Sequence, residues 1–182
     1  MQTDKRGRRR GLRPTGILAL SFAGVIFAGT LLLMLPISSR EGQSIGFLNA
    51  LFTATSGTCV TGLVVAPTGL TFSTFGQGVL LLLIQMGGLG TMTAALTTFT
   101  LVGRRLSLRD KLSLSESINE ESVANTTMQM AKKVLIITFV IEALGALFLM
   151  LWMVPRFGGQ GIWYSIFLSI SAFCNSGMDI FM

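Results

Sequence analysis

The sequence predicts an all-α membrane protein, and three observations carry that expectation. Of 182 residues, 51% are apolar and 12% charged, with no histidine and a mean hydropathy of +0.68. Soluble domains carry about 25% charged residues, so an ordinary cytosolic enzyme is disfavoured. Three runs, 15–35, 75–102 and 134–154, reach the roughly 20 apolar residues that a helix needs to cross a hydrocarbon core. The first two are uncharged, and the third holds only Glu142. The basic residues border these runs: Lys5, Arg6, Arg8, Arg9, Arg10 and Arg13 before the first, then Arg104, Arg105, Arg109, Lys111, Lys132 and Lys133 between the second and third. A net charge of +6 distributed in this way marks cytoplasmic membrane flanks rather than nucleic-acid binding.

Taken in order, residues 1–14 form a basic cytoplasmic N-terminus. The run 15–35 is longer than the about 7 to 15 residues of a signal-peptide core and ends at Leu35-Pro36, so it reads as a retained anchor. With positive loops inside, the first run leads out, 75–102 returns to a cytoplasmic linker over 103–133, and 134–154 leads out again. The protein is then multi-pass in the plasma membrane with its N-terminus cytoplasmic. Residues 107–121 mix charge with Leu106, Leu108, Leu112, Leu114 and Ile118 nearby, as an amphipathic linker does.

The outside segments are too apolar for plain loops. Residues 45–55 (IGFLNALFTAT) and 162–172 (IWYSIFLSISA) are about half the length of a span, and each runs into small polar residues. A shift of 115 residues places Phe52 on Phe167, Ser56 on Ser171, Cys59 on Cys174 and Gly62 on Gly177. This fits a repeated unit of span, half-helix and span. The carbonyl end of a half-helix carries partial negative charge and favours a cation. An extended Thr/Val/Gly stretch beyond it can offer backbone carbonyls in place of an ion's hydration shell, with glycine supplying the backbone freedom. Two interfacial helices with polar ends are the plainer alternative.

At these residues the chain resembles the Trk/Ktr/HKT superfamily of potassium transporters, closest to the bacterial Ktr/Trk type. The similarity runs through LLLMLPIS (31–38), ALFTATSGTCVTGLVV (50–65), QMGGLGT (85–91) and SAFCNSGMD (171–179). The resemblance implies four repeats of outer helix, re-entrant pore helix, filter loop and inner helix around one pore. This chain would hold one full repeat, 15–102, and one partial repeat, 134–182. The first comprises outer helix 15–35, pore helix 45–57, filter 58–64 and inner helix 75–102. The second comprises outer helix 134–154, pore helix 162–173 and filter 174–179. By resemblance, Gly62 and Gly177 are the filter glycines, with Val60, Thr61, Asn175 and Ser176 supplying neighbouring carbonyls.

Glycine at position 62, in place of the serine of sodium-preferring plant relatives, favours potassium as the transported substrate. No covalent cofactor and no enzyme activity are expected. Implied partners are the lipid bilayer, the remaining repeats, a second copy in a homodimer, and a cytoplasmic ring of nucleotide-binding regulatory subunits. The expectation is an N-terminal portion of the pore-forming subunit that does not conduct alone. A non-conducting short subunit or assembly partner is the alternative, and a membrane enzyme lacks the usual acid/base groups.

Glu142 lies at membrane depth, where an ionisable group is either structurally paired or on an ion path. Asp179 is either an outer-mouth carboxylate that concentrates cations or a solvated acid. Gly87, Gly88 and Gly90 sit in an uncharged run without a preceding strand pattern, so close helix packing is expected there rather than a phosphate loop. Cys59 and Cys174 are the only cysteines. Without histidine they offer no metal site, and they read as small residues beside the filter.

Overall fold

The computed structural model describes residues 14–103 and 120–181. Most of the basic N-terminus and linker residues 104–119 lie outside the described residues, as does Met182. The chain is helical: α1 (Pro14–Met34), a 3-10 turn (Pro36–Ser38), α2 (Phe47–Thr58), α3 (Thr68–Thr71), α4 (Thr74–Gly103), α5 (Glu120–Phe157) and α6 (Gln160–Phe173). Among the described residues, two helices are long and apolar enough to span a membrane, through Thr74–Thr91 and Lys132–Phe157. The apolar part of α1, Ala19–Met34, is shorter.

Sequence chemistry explains where these helices stop. Pro36 lacks the N–H that would continue α1, and the chain turns there. Gly46 adopts φ 83° and leads the chain into α2. Gly158, at φ 60°, ends α5 with its N–H donated to the Val154 carbonyl at 2.9 Å. Gly161 then lets α6 pack back against the Met153 backbone. Helix α5 includes residues well before the apolar run at 134, because a helix needs no apolar periodicity to extend beyond the bilayer.

Helix α4 is central, and half of its spanning window is buried, against 17% for that of α5. One face of α4 joins Leu33, Ala50, Ala54, Phe72, Val79, Leu80 and Leu83 in a cluster with α1 and α2. Ile84 joins a second cluster with Tyr164, Phe167, Met178 and Ile180 around α6. Helix α5 exposes Phe139, Leu144, Leu147, Phe148, Leu151 and Trp152, an apolar surface suited to lipid. At the other end of α1, Ser38 accepts from the Ser73 N–H at 2.9 Å, and Ser73 Oγ donates to the Ile37 carbonyl at 2.6 Å. These bonds fasten the end of α1 to the start of α4.

Candidate ion-conduction site

The short helices α2 and α6 end at Thr58 and Phe173, 115 residues apart. Beyond each end the backbone follows one hydrogen-bond pattern. Cys59 N–H donates to the Thr55 carbonyl at 2.8 Å, Val60 to Gly57 at 3.2 Å and Thr61 to Ser56 at 2.9 Å. Their counterparts are Cys174 to Ile170 at 2.9 Å, Asn175 to Ala172 at 3.0 Å and Ser176 to Ser171 at 2.8 Å. Positive φ recurs at the same shift, at Val60 (55°) and Asn175 (60°), then at Gly62 (76°) and Gly177 (72°). For β-branched Val60 that conformation costs about 1 to 3 kcal/mol and persists only when its surroundings enforce it.

The two loops touch. A Cβ on Gly62 would fall on the Ser176 carbonyl oxygen, whereas open space surrounds Gly177. Both short helices also end on α4. A Cβ on Gly87 would collide with the Thr58 carbonyl, and one on Gly88 with the Cys174 side chain. Gly90 meets the Phe22 ring. The glycines of 87–90 therefore serve close packing, and they bring two helix C-termini to neighbouring residues of α4. Each of these ends carries partial negative charge, which favours a cation nearby.

The other predicted residues fall at different depths. Thr61 and Asp179 are exposed, and Ser176 is buried with its Oγ unpartnered among the described residues. Asn175 joins Gly88, Leu89, Thr91, Thr138, Phe173 and Cys174 around a cavity of about 140 Å³. Cys59 and Cys174 are free thiols. Glu142 is 4% exposed and accepts from Gln85 Nε2 at 2.9 and 3.1 Å. It lies on α5, outside the two loops.

Several supporting residues carry little signal in the sequence. Ser171 Oγ donates to the Met178 carbonyl at 2.6 Å and pins the second loop. Trp163 Nε1 donates to Gln77 Oε1 at 2.7 Å, while Gln77 Nε2 donates to the Phe72 carbonyl at 3.1 Å. The available signal was glutamine at 77 and 85 inside an uncharged apolar run, since buried amides need partners.

Fold and site together define a class: an α-helical membrane protein whose short helices aim their carbonyl ends at a shared glycine-bearing helix. Within that class, the chain belongs to the TrkH family, described as cation transport protein, whose model matches residues 7–181. This is a family of transporters, not enzymes. The chain is 39% identical over 181 residues to the potassium/sodium uptake protein NtpJ of Enterococcus hirae, covering 99% of this chain and 40% of that protein. It is 38% identical over 181 residues to Ktr system potassium uptake protein B of Bacillus subtilis, again covering 99% and 40%. The protein of the same description from Vibrio alginolyticus is 42% identical over 178 residues, covering 97% and 38%. The chain thus spans about two fifths of the length of these curated relatives and corresponds to their N-terminal part.

Proposed function

We propose that this chain is the N-terminal part of the pore-forming subunit of a potassium uptake transporter. The observation that carries the reading is the repeated loop geometry: the same hydrogen bonds and the same left-handed positions, 115 residues apart, at the carbonyl ends of two short helices. In this reading α2 and α6 are pore helices, and 58–64 and 174–179 are two filter segments. Val60, Thr61, Gly62, Asn175, Ser176 and Gly177 present backbone carbonyls to a partly dehydrated potassium ion. The ion moves down its electrochemical gradient, with no covalent chemistry.

Asp179, exposed at the end of the second segment, raises the local cation concentration at the outer mouth. The N-terminus and the 103–133 linker face the cytoplasm in the plasma membrane. Further repeats complete the pore, a second copy forms a homodimer, and a nucleotide-binding regulatory ring docks on the cytoplasmic face. The relatives' names supply the substrate class: potassium uptake in two, potassium/sodium uptake in the third.

The test is uptake of radiolabelled rubidium and sodium by a potassium-uptake-deficient bacterium carrying the protein as its native gene encodes it. Rubidium uptake that potassium competes away is expected, with Gly62→Ser lowering the preference over sodium. Unchanged preference in a well-expressed Gly62→Ser protein would refute the filter assignment.

A further inference from the structure

Buried polar side chains from three helices meet behind the second loop. Gln85 on α4 donates its Nε2 to both carboxylate oxygens of Glu142 on α5, at 2.9 and 3.1 Å. Its Oε1 accepts from the Sγ–H of Cys174, the residue that caps α6, at 3.8 Å. Glu142 is 4% exposed and Gln85 9%. At the same level, Ser169 Oγ of α6 donates to the Glu142 main-chain carbonyl at 2.7 Å.

The chemistry gives this chain of bonds a direction. A carboxylate only accepts, so it takes the amide end of Gln85 and leaves the carbonyl end to receive the thiol. Gly88 completes the confinement, because a Cβ there would occupy the place of the Cys174 sulfur. The residue after Cys174 is Asn175, where the backbone takes its left-handed turn. Among the described residues the first loop has no such arrangement. The position 115 residues before Glu142 is Phe27, which is exposed, and Cys59 is exposed where Cys174 is half-buried.

We propose that Glu142, acting through the carboxamide of Gln85, fixes Cys174 and so sets the backbone orientation of 175–177: it is a positioning residue for the second filter segment. The inference rests on the reading of that segment as a filter. It makes Glu142 a structural partner with a consequence for ion selection rather than a group on the ion path.

The experiment is the ratio of rubidium to sodium uptake in proteoliposomes, for the protein as its native gene encodes it, with monodispersity checked by size exclusion. Glu142→Gln and Gln85→Glu should each lower the ratio by about tenfold, because each removes or confuses a buried, charge-assisted bond. The exchange Gln85→Glu with Glu142→Gln should restore most of it. In that protein one carboxylate at position 85 accepts both from the amide at 142 and from the Cys174 thiol. General loss of packing would lower both fluxes and leave their ratio unmoved.

Single variants with the wild-type ratio, or an exchanged protein no better than either single, would overturn the proposal. Should the single variants fail to fold, Cys174→Ala and Cys174→Ser carry the test. The serine keeps a donor and should recover most of the ratio lost with alanine, whereas equal ratios overturn the proposal. Failure of the filter reading is distinct: the wild-type protein itself would then show no preference for rubidium, and both claims would fall.

Discussion

Gly62 and Gly177 are equivalent by sequence and by backbone angle, at φ 76° and 72°, yet alanine should affect them differently. A side chain in the left-handed region costs about 1 to 2 kcal/mol, and both positions incur that cost. At Gly62 the new Cβ would also fall on the Ser176 carbonyl, a main-chain atom that cannot rotate away. Forcing such a contact apart costs about 1 to 3 kcal/mol more. Gly177 has nothing within 4 Å of the same Cβ, so the second cost is absent.

Gly62→Ala should therefore destabilise the 182-residue chain by about 2 kcal/mol more than Gly177→Ala. At about 2 to 4 °C per kcal/mol for a chain of this size, the unfolding midpoints should differ by roughly 4 to 8 °C. The assay is thermal unfolding of both variants in one detergent, followed by intrinsic fluorescence. Equal midpoints, or a lower midpoint for Gly177→Ala, would refute the contact between the two loops as the source of the difference.

Gly87→Ala should lower stability, because its Cβ meets the Thr58 carbonyl at a cost of about 1 to 3 kcal/mol, whereas Gly78→Ala should raise stability by about 0.5 to 1 kcal/mol as an unobstructed helical position. Denaturant titration of the two variants separates them by sign. Ser171→Ala strands the Met178 carbonyl and should cost about 1 to 3 kcal/mol. Ser56→Ala, at the matching position, removes a buried hydroxyl with no partner among the described residues and should be close to neutral in the same titration. The purified 182-residue chain in liposomes should give no potassium-selective flux, measured by rubidium uptake; robust selective flux would overturn that expectation.

The long apolar runs, and the repeat that pairs Ser56 with Ser171 and Cys59 with Cys174, were legible because they are local or periodic. So was the packing role of the α4 glycines, since small residues in an apolar run permit close approach. Left-handed Val60 and Asn175 were not legible as such, because neither residue type demands positive φ and the surrounding packing imposes it. The partner of Glu142 was hidden for another reason. Gln85 lies 57 residues away in sequence, and only the crossing of α4 and α5 brings the two together. The extension of α5 ahead of residue 134 was hidden because residues 120–133 are largely polar and carry no apolar run.

The two loops share a backbone frame but differ in what holds it. The first is confined by contact: Gly62 abuts the Ser176 carbonyl, and the Thr58 carbonyl sits against Gly87. The second adds to its contact of Cys174 with Gly88 a set of directed bonds, from Ser171 to Met178 and from Cys174 through Gln85 to Glu142. Steric confinement fails abruptly when volume is added, whereas a hydrogen-bonded support fails when a donor or acceptor is removed, even at constant volume. Added volume should therefore disturb both loops, at Gly62 and Gly87 for the first and at Gly88 for the second, whereas isosteric changes of polarity should act mainly through the second. Sequence symmetry alone would have assigned the two loops the same sensitivities.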